Sequence, residues 1–106
     1  MAEPMLDMPP EHRRIVDGIL DAHAGGREVW AFGSRARGVA KPYSDLDLAV
    51  IGNEPLGIEQ LAALADAFEE SDLPWRVDIV DWATTDAAFR RIIERDKVVL
   101  HRAKRG

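Results

Sequence analysis

Apolar residues recur at helical spacing in three stretches of the chain. The first stretch lies between a pair of prolines and a pair of glycines. It predicts a helix over roughly residues 10–24, because proline suits a first helical turn and glycine a helix end. The second stretch predicts a helix over roughly residues 57–71, and the third begins after Thr84 or Thr85, either of which is a suitable cap. The apolar residues of this last helix are Ala88, Phe89, Ile92 and Ile93.

Short apolar runs between the predicted helices indicate four β-strands. The runs cover residues 29–32, 45–51, 75–80 and 98–100. Strands that alternate with helices are typical of one sheet with helices packed on it. The segment between the first two strands is too short for a crossover helix, so these strands are expected to be antiparallel neighbours. The sequence therefore predicts an α/β fold built on a small mixed β-sheet.

Length and composition are those of one globular domain. The chain has 106 residues, of which 46% are hydrophobic and 31% are charged, a balance that supports a single core. We expect one domain over residues 1–106, with a flexible arm at 1–9 and a basic tail at 101–106. The sequence has no apolar run of about 20 residues and its N-terminus does not resemble a secretory signal, so the cytoplasm is the expected compartment and no membrane contact is expected.

Charge and cysteine content argue against several classes of function. The net charge of -5, from 14 Lys and Arg against 19 Asp and Glu, disfavours direct binding of nucleic acid. The chain has no cysteine, which excludes disulfides, zinc–thiolate sites and cysteine nucleophiles.

Three aspartates are the candidate metal ligands. Asp45 and Asp47 are two residues apart in a predicted strand, so both carboxylates are expected on one face, where they repel each other. A divalent cation would convert this repulsion into binding, and Mg²⁺ prefers such oxygen ligands. Asp78 lies in the third predicted strand and can join the pair if that strand is a neighbour. Three convergent carboxylates suit two metal ions.

A glycine–serine pair after the first strand is the candidate phosphate site. Gly33 lets the backbone approach a phosphate closely, and the Ser34 hydroxyl is a natural ligand. Arg35, Arg37 and Lys41 add positive charge in an otherwise acidic chain. The cluster suits a polyanionic substrate such as a nucleoside triphosphate.

These parts together resemble the signature of the DNA polymerase beta-like nucleotidyltransferase superfamily. Gly33–Ser34 is followed, after ten residues, by Asp45-Leu46-Asp47-Leu48, and Asp78 fits the position of a third carboxylate on a later strand. The finer sequence, GSRARG followed by SDLDL, is similar to the minimal nucleotidyltransferase (MNT) subgroup. The resemblance covers roughly residues 29–80.

The resemblance implies a reaction and a role for each of these residues. The family transfers a nucleotidyl group from a triphosphate to an acceptor hydroxyl with Mg²⁺. Asp45 and Asp47 would hold two magnesium ions, and Asp78 would hold the catalytic ion and help to deprotonate the acceptor. Gly33 and Ser34 would bind the outer phosphates, assisted by the residues Arg35 or Arg37.

The resemblance also implies a partner. Minimal members of the family are commonly antitoxins that transfer AMP from ATP to a tyrosine of a HEPN ribonuclease toxin. The chain is therefore expected to be a protein adenylyltransferase of this kind. The alternative is a non-catalytic antitoxin that inhibits its partner by binding alone, and loss of both Asp45 and Asp47 would distinguish the two.

Overall fold

In the computed structural model, which describes residues 8–39, 41 and 43–103, three α-helices and four β-strands follow one another in the predicted order. The elements are α1 (Pro10–His23), β1 (Val29–Phe32), β2 (Leu46–Val50), α2 (Ile58–Glu69), β3 (Val77–Asp81), α3 (Ala87–Asp96) and β4 (Val98–His101). A short 3₁₀ turn, Trp82–Thr84, joins β3 to α3. None of these described helices is both long and apolar enough to cross a bilayer.

The four strands form one mixed sheet in the order β3-β2-β1-β4. β1 is antiparallel to both of its neighbours, β2 and β4, whereas β2 and β3 are parallel. The predicted mixed sheet and the antiparallel pairing of the first two strands are confirmed. With this topology β1 ends where β2 and β3 begin, and we call this edge the acidic end of the sheet because Asp45, Asp47 and Asp78 lie there.

Helices cover both faces of the sheet, and alternate side chains of β2 belong to two different hydrophobic clusters. Leu46, Leu48 and Val50 belong to one hydrophobic cluster with residues of α1 and α2, such as Leu20 and Leu64. The opposite face carries a second cluster, formed by Trp30, Phe32, Ala49 and Ile93, which α3 covers. Because successive side chains of a strand point to opposite faces, the residue between Leu46 and Leu48 lies on the α3 face.

The cap of α3 differs from the sequence prediction. The side chain of Asp86 accepts a hydrogen bond from the Phe89 N–H at 2.8 Å and is the N-cap. Thr84 and Thr85 instead donate their hydroxyls to the Asp81 carbonyl, at 3.2 and 2.7 Å. Both threonine hydroxyls are bonded at the 3₁₀ turn, and α3 begins only after that turn. The prediction of a threonine cap was therefore wrong.

The C-terminal strand is longer than predicted. His101, expected as the first residue of a basic tail, is the last residue of β4 and contacts the Arg27 carbonyl and Asp21, each at 3.1 Å. Met8, expected in the flexible arm, packs partly buried against the core. Residues 1–7 of the predicted arm and residues 104–106 of the predicted tail lie outside the described residues.

Replacing the α3 cap tests the observed helix start. Asp86→Ala should lower the free energy of unfolding by about 1 kcal/mol, because the first-turn N–H loses its acceptor. Asp86→Asn keeps an amide oxygen in the same place and should retain most of the stability. Chemical denaturation measures both variants, and equal losses for Ala and Asn would contradict the cap.

Candidate active site

Asp47 and Asp78 lie side by side in the two parallel strands. The register of β2 and β3 pairs them directly, so both side chains project from the same face at the acidic end of the sheet. Asp47 is partly buried, and the side chain of Asp78 is 50% exposed. The Leu46 N–H donates to the Arg76 carbonyl at 2.9 Å, which fixes this register at the point where both strands begin.

Asp45 precedes β2 and is exposed. The prediction that it lies within the strand was therefore wrong. The charge of Asp45 nevertheless reaches Asp47. The pKa of Asp47 is raised from its ordinary value, first by burial of the carboxyl and then by the negative charges of Asp78 and Asp45. The structure thus places Asp45 and Asp78 within electrostatic reach of Asp47.

Gly33 brings the glycine–serine turn against the same carboxylate. Its φ of +78° is a conformation that side chains disfavour, and a Cβ at this position would collide with Oδ2 of Asp47. The turn is closed by hydrogen bonds from the Arg37 N–H to the Gly33 carbonyl, at 3.1 Å, and from the Val39 N–H to the Ser34 carbonyl, at 3.0 Å. The segment is therefore a hydrogen-bonded turn that does not continue into a regular helix.

The two arginines of the turn have different environments. Arg35 is buried, and its Nε donates to the Ser44 carbonyl at 2.9 Å. The Arg35 guanidinium carbon also lies 4.2 Å from the centroid of the Trp75 ring. The phosphate contact predicted for Arg35 stays a prediction, made for a side chain that the fold buries. Arg37 has a 53% exposed side chain whose Nε lies 3.9 Å from Oδ2 of Asp96, so it remains accessible to a ligand.

Sequence reasoning missed the residues that support this end of the sheet. Ser44 is in a tight turn, where its hydroxyl accepts from the Lys41 N–H at 2.8 Å and its own N–H donates to the Lys41 carbonyl. Trp75 is buried beneath Arg35, and Arg76 lies 3.9 Å from Asp78. Only the position of Trp75 at the start of a predicted strand was a usable signal, although β3 itself begins at Val77.

The carboxylates fit a divalent cation that also binds phosphate oxygens. Among the residues that the structure describes, no group of three or more His, Cys, Asp and Glu side chains is arranged to hold a metal ion by itself. Mg²⁺ does not need such a cage, since it commonly takes one or two carboxylates together with substrate phosphates and water. The paired Asp47 and Asp78, with Asp45 nearby, supply ligands of this kind.

A comparison of two glycines tests the contact between the turn and Asp47. Gly33 and Gly38 both have positive φ, but a Cβ at Gly38 would meet nothing within 4 Å. Gly38→Ala should cost about 1 kcal/mol from backbone strain alone. Gly33→Ala should cost about 1 kcal/mol more, because the new methyl group displaces the carboxylate. Adding Asp47→Ala should recover the excess, and equal losses at the two glycines would contradict the contact.

Neutralising Asp47 should stabilise the protein when no divalent cation is present. A carboxyl whose folded-state pKa is raised stabilises the fold only at low pH, and that contribution is lost as the pH rises through the raised value. Asp47→Asn should therefore raise Tm by a few degrees at pH 7 in chelator, and the difference should close below the ordinary pKa of 3.8. The exposed Asp66→Asn is the matched control. An unchanged or lower Tm for Asp47→Asn at pH 7 would contradict the charge repulsion.

The sequence matches a known family over most of its length. The family model described as a nucleotidyltransferase domain matches residues 12–105. The chain is 54% identical, over 95 residues, to the Haemophilus influenzae protein named "Probable protein adenylyltransferase MntA". The match covers 90% of this chain and 83% of that protein.

Solved structures share the fold. A chain assigned to the minimal nucleotidyltransferases is 34% identical, with a TM-score of 0.67, and the match covers 86% of this chain and 95% of that one. A second match, also with a TM-score of 0.67, comes from a complex of a tri-AMPylated HEPN toxin with an MNT antitoxin from Shewanella oneidensis. It is 18% identical and covers 91% of this chain and 74% of that chain, which shows a shared fold. The extent of these matches and the identity to MntA establish that the chain belongs to the nucleotidyltransferase family.

Proposed function

We propose that the protein is a magnesium-dependent antitoxin that transfers AMP from ATP to a tyrosine hydroxyl of a HEPN-domain toxin. The observation that carries the proposal is the pairing of Asp47 with Asp78 beside the Gly33 turn, which joins metal-binding and phosphate-binding chemistry. The name of the H. influenzae relative supports protein adenylylation, and the S. oneidensis complex supports a HEPN toxin as the partner.

The nucleotide is held by the turn and by the carboxylates of β2. Gly33 and Ser34 bind the outer phosphates, and the exposed Arg37 assists them with its positive charge. Asp45 and Asp47 would hold two magnesium ions, and Asp78 would be a further ligand of one of them. When bound, these ions neutralise the triphosphate and stabilise the charge that develops during transfer.

Asp78 accepts the proton of the acceptor. Its half-exposed side chain leaves room for a hydroxyl of another protein to approach. The tyrosine oxygen forms a bond to the α-phosphorus, the bond from that phosphorus to the β-phosphate oxygen breaks, and pyrophosphate leaves. The hydroxyl proton passes to the Asp78 carboxylate. Positioning and charge neutralisation account for most of the catalysis.

The toxin is the expected macromolecular partner. The proposed reaction needs ATP and a folded acceptor protein, which places it in the cytoplasm. Neither a membrane surface nor nucleic acid is required by the chemistry. The net charge of -5 is consistent with a protein partner in preference to a polyanion.

Labelled ATP tests the reaction directly. The purified protein, with Mg²⁺ and its HEPN partner, should transfer label from the α-phosphate of ATP and none from the γ-phosphate. The double variant Asp45→Asn with Asp47→Asn should lose at least about 100-fold in rate, because the nucleotide loses its metal ligands. Peptide mass spectrometry should place the added AMP on tyrosine.

The exposed substitution Asp66→Asn is the control and should leave the rate unchanged. Label that still reaches the toxin at the normal rate in the double variant would contradict the proposed site. A double variant that neutralises the toxin in cells without transferring label would favour inhibition by binding alone.

A further inference from the structure

Arg35 is buried, and its contacts compensate for the loss of water. Within residues 8–39, 41 and 43–103 it is the one charged or polar residue that is buried, with 3% of its surface exposed. A guanidinium withdrawn from solvent is strongly destabilising unless its charge and donors find partners. Its Nε donates to the Ser44 carbonyl, and its flat face stacks on the ring of Trp75, which is itself buried. Stacking of this kind is a favourable cation–π contact.

These contacts join the three segments that carry the active site. Arg35 directly follows the glycine–serine turn. Ser44 directly precedes Asp45. Trp75 lies three residues before Asp78, in the segment that leads into β3. A single side chain therefore touches each of the segments whose relative placement determines the geometry of the site.

We propose that Arg35 and Trp75 form a clamp that positions the phosphate-binding turn relative to the metal-binding carboxylates. The inference rests on the proposed adenylyltransferase function. Arg35 is thus a positioning residue and does not itself contact the nucleotide. Its Nε and the stacked face of its guanidinium are already engaged by Ser44 and Trp75, whereas the neighbouring Arg37 is accessible to a ligand.

The connection between β1 and β2 explains why a clamp is needed. The described residues between Phe32 and Leu46 form turns and loop without a strand or a regular helix, so the antiparallel ladder of β1 with β2 stops at Phe32 and does not extend into the turn. Ladder hydrogen bonds hold β2 against β3, but they do not reach the glycine–serine turn. The contacts of the arginine side chain span this gap. A displacement of about 1 Å in such a site can lower a rate by about 100-fold.

Substitutions in the clamp should lower kcat more than they weaken nucleotide binding. Arg35→Met and Trp75→Leu should each reduce kcat by about 10- to 100-fold, with less than about a threefold change in Kd for a non-hydrolysable ATP analogue with Mg²⁺. The double variant should lose no more than the single variants, because either change opens the same clamp. Trp75→Phe retains a flat aromatic face and should keep kcat within about threefold. Rates are measured well below the Tm of each variant, and Trp75→Leu reports on the clamp if Arg35→Met does not fold.

Arg90→Met is the matched control. Arg90 also stacks on a tryptophan, 4.8 Å from the centroid of Trp82, and donates to the Trp82 carbonyl, so these contacts are made outside the three segments of the site. It should lower stability and leave kcat within about twofold. Amide hydrogen exchange provides a readout that does not depend on transfer. Residues 33–39 and 44–46 should exchange faster together in Arg35→Met and in Trp75→Leu, and not in Arg90→Met.

The outcomes separate the clamp from the proposed function. A tenfold rise in Kd for Arg35→Met, with Trp75→Leu unchanged, would show that Arg35 binds the nucleotide and would overturn the clamp. Unchanged exchange at residues 33–39 and 44–46 would overturn it too, as would normal kcat in the folded variants. Absence of transfer by the wild-type protein would defeat the proposed adenylyltransferase function, and the exchange measurement would still decide whether the clamp couples the two segments.

Discussion

The crowding of like charge around Asp47 is the constraint on which the acidic end of the sheet depends. Parallel pairing of β2 with β3 places Asp78 directly beside it, and partial burial withdraws its carboxyl from water. Gly33 also approaches this carboxylate so closely that a Cβ would collide with it. Burial and the neighbouring negative charges are unfavourable for a carboxylate without a cation. A protein retains such an arrangement where function requires it and other parts of the fold compensate.

Much of the fold could be predicted from local patterns, because helices and buried strands leave strong periodic signals in a sequence. The short connection after β1 required an antiparallel neighbour, and the structure agrees. The cap of α3 could not be predicted reliably, since Thr84, Thr85 and Asp86 are all good cap residues and an unforeseen 3₁₀ turn decided among them. His101 was predicted to begin a basic tail because it is followed by basic residues. It instead belongs to β4, where it contacts Arg27 and Asp21.

The candidate carboxylates could be identified from the sequence, whereas the residues that pack around them could not. Asp-x-Asp at strand spacing indicates two neighbouring carboxylates, and the sheet order adds Asp78. No sequence pattern distinguishes Arg35 from Arg37, because both lie in one turn and carry the same charge. Arg35 is buried against Trp75, which is distant in sequence and reaches the turn only in the folded chain. Long-range contacts of this kind determine which charge a ligand can meet.

We propose that the carboxylates around Asp47 bind a cation together with a triphosphate. The most direct test of this proposal is the Tm of the wild type and of Asp47→Asn as a non-hydrolysable ATP analogue is added with Mg²⁺. A ligand that binds only the folded state raises Tm in proportion to the logarithm of its concentration above Kd. Tm should rise progressively for the wild type and almost not at all for the variant. An equal rise in both proteins, or none in the wild type, would contradict the proposal.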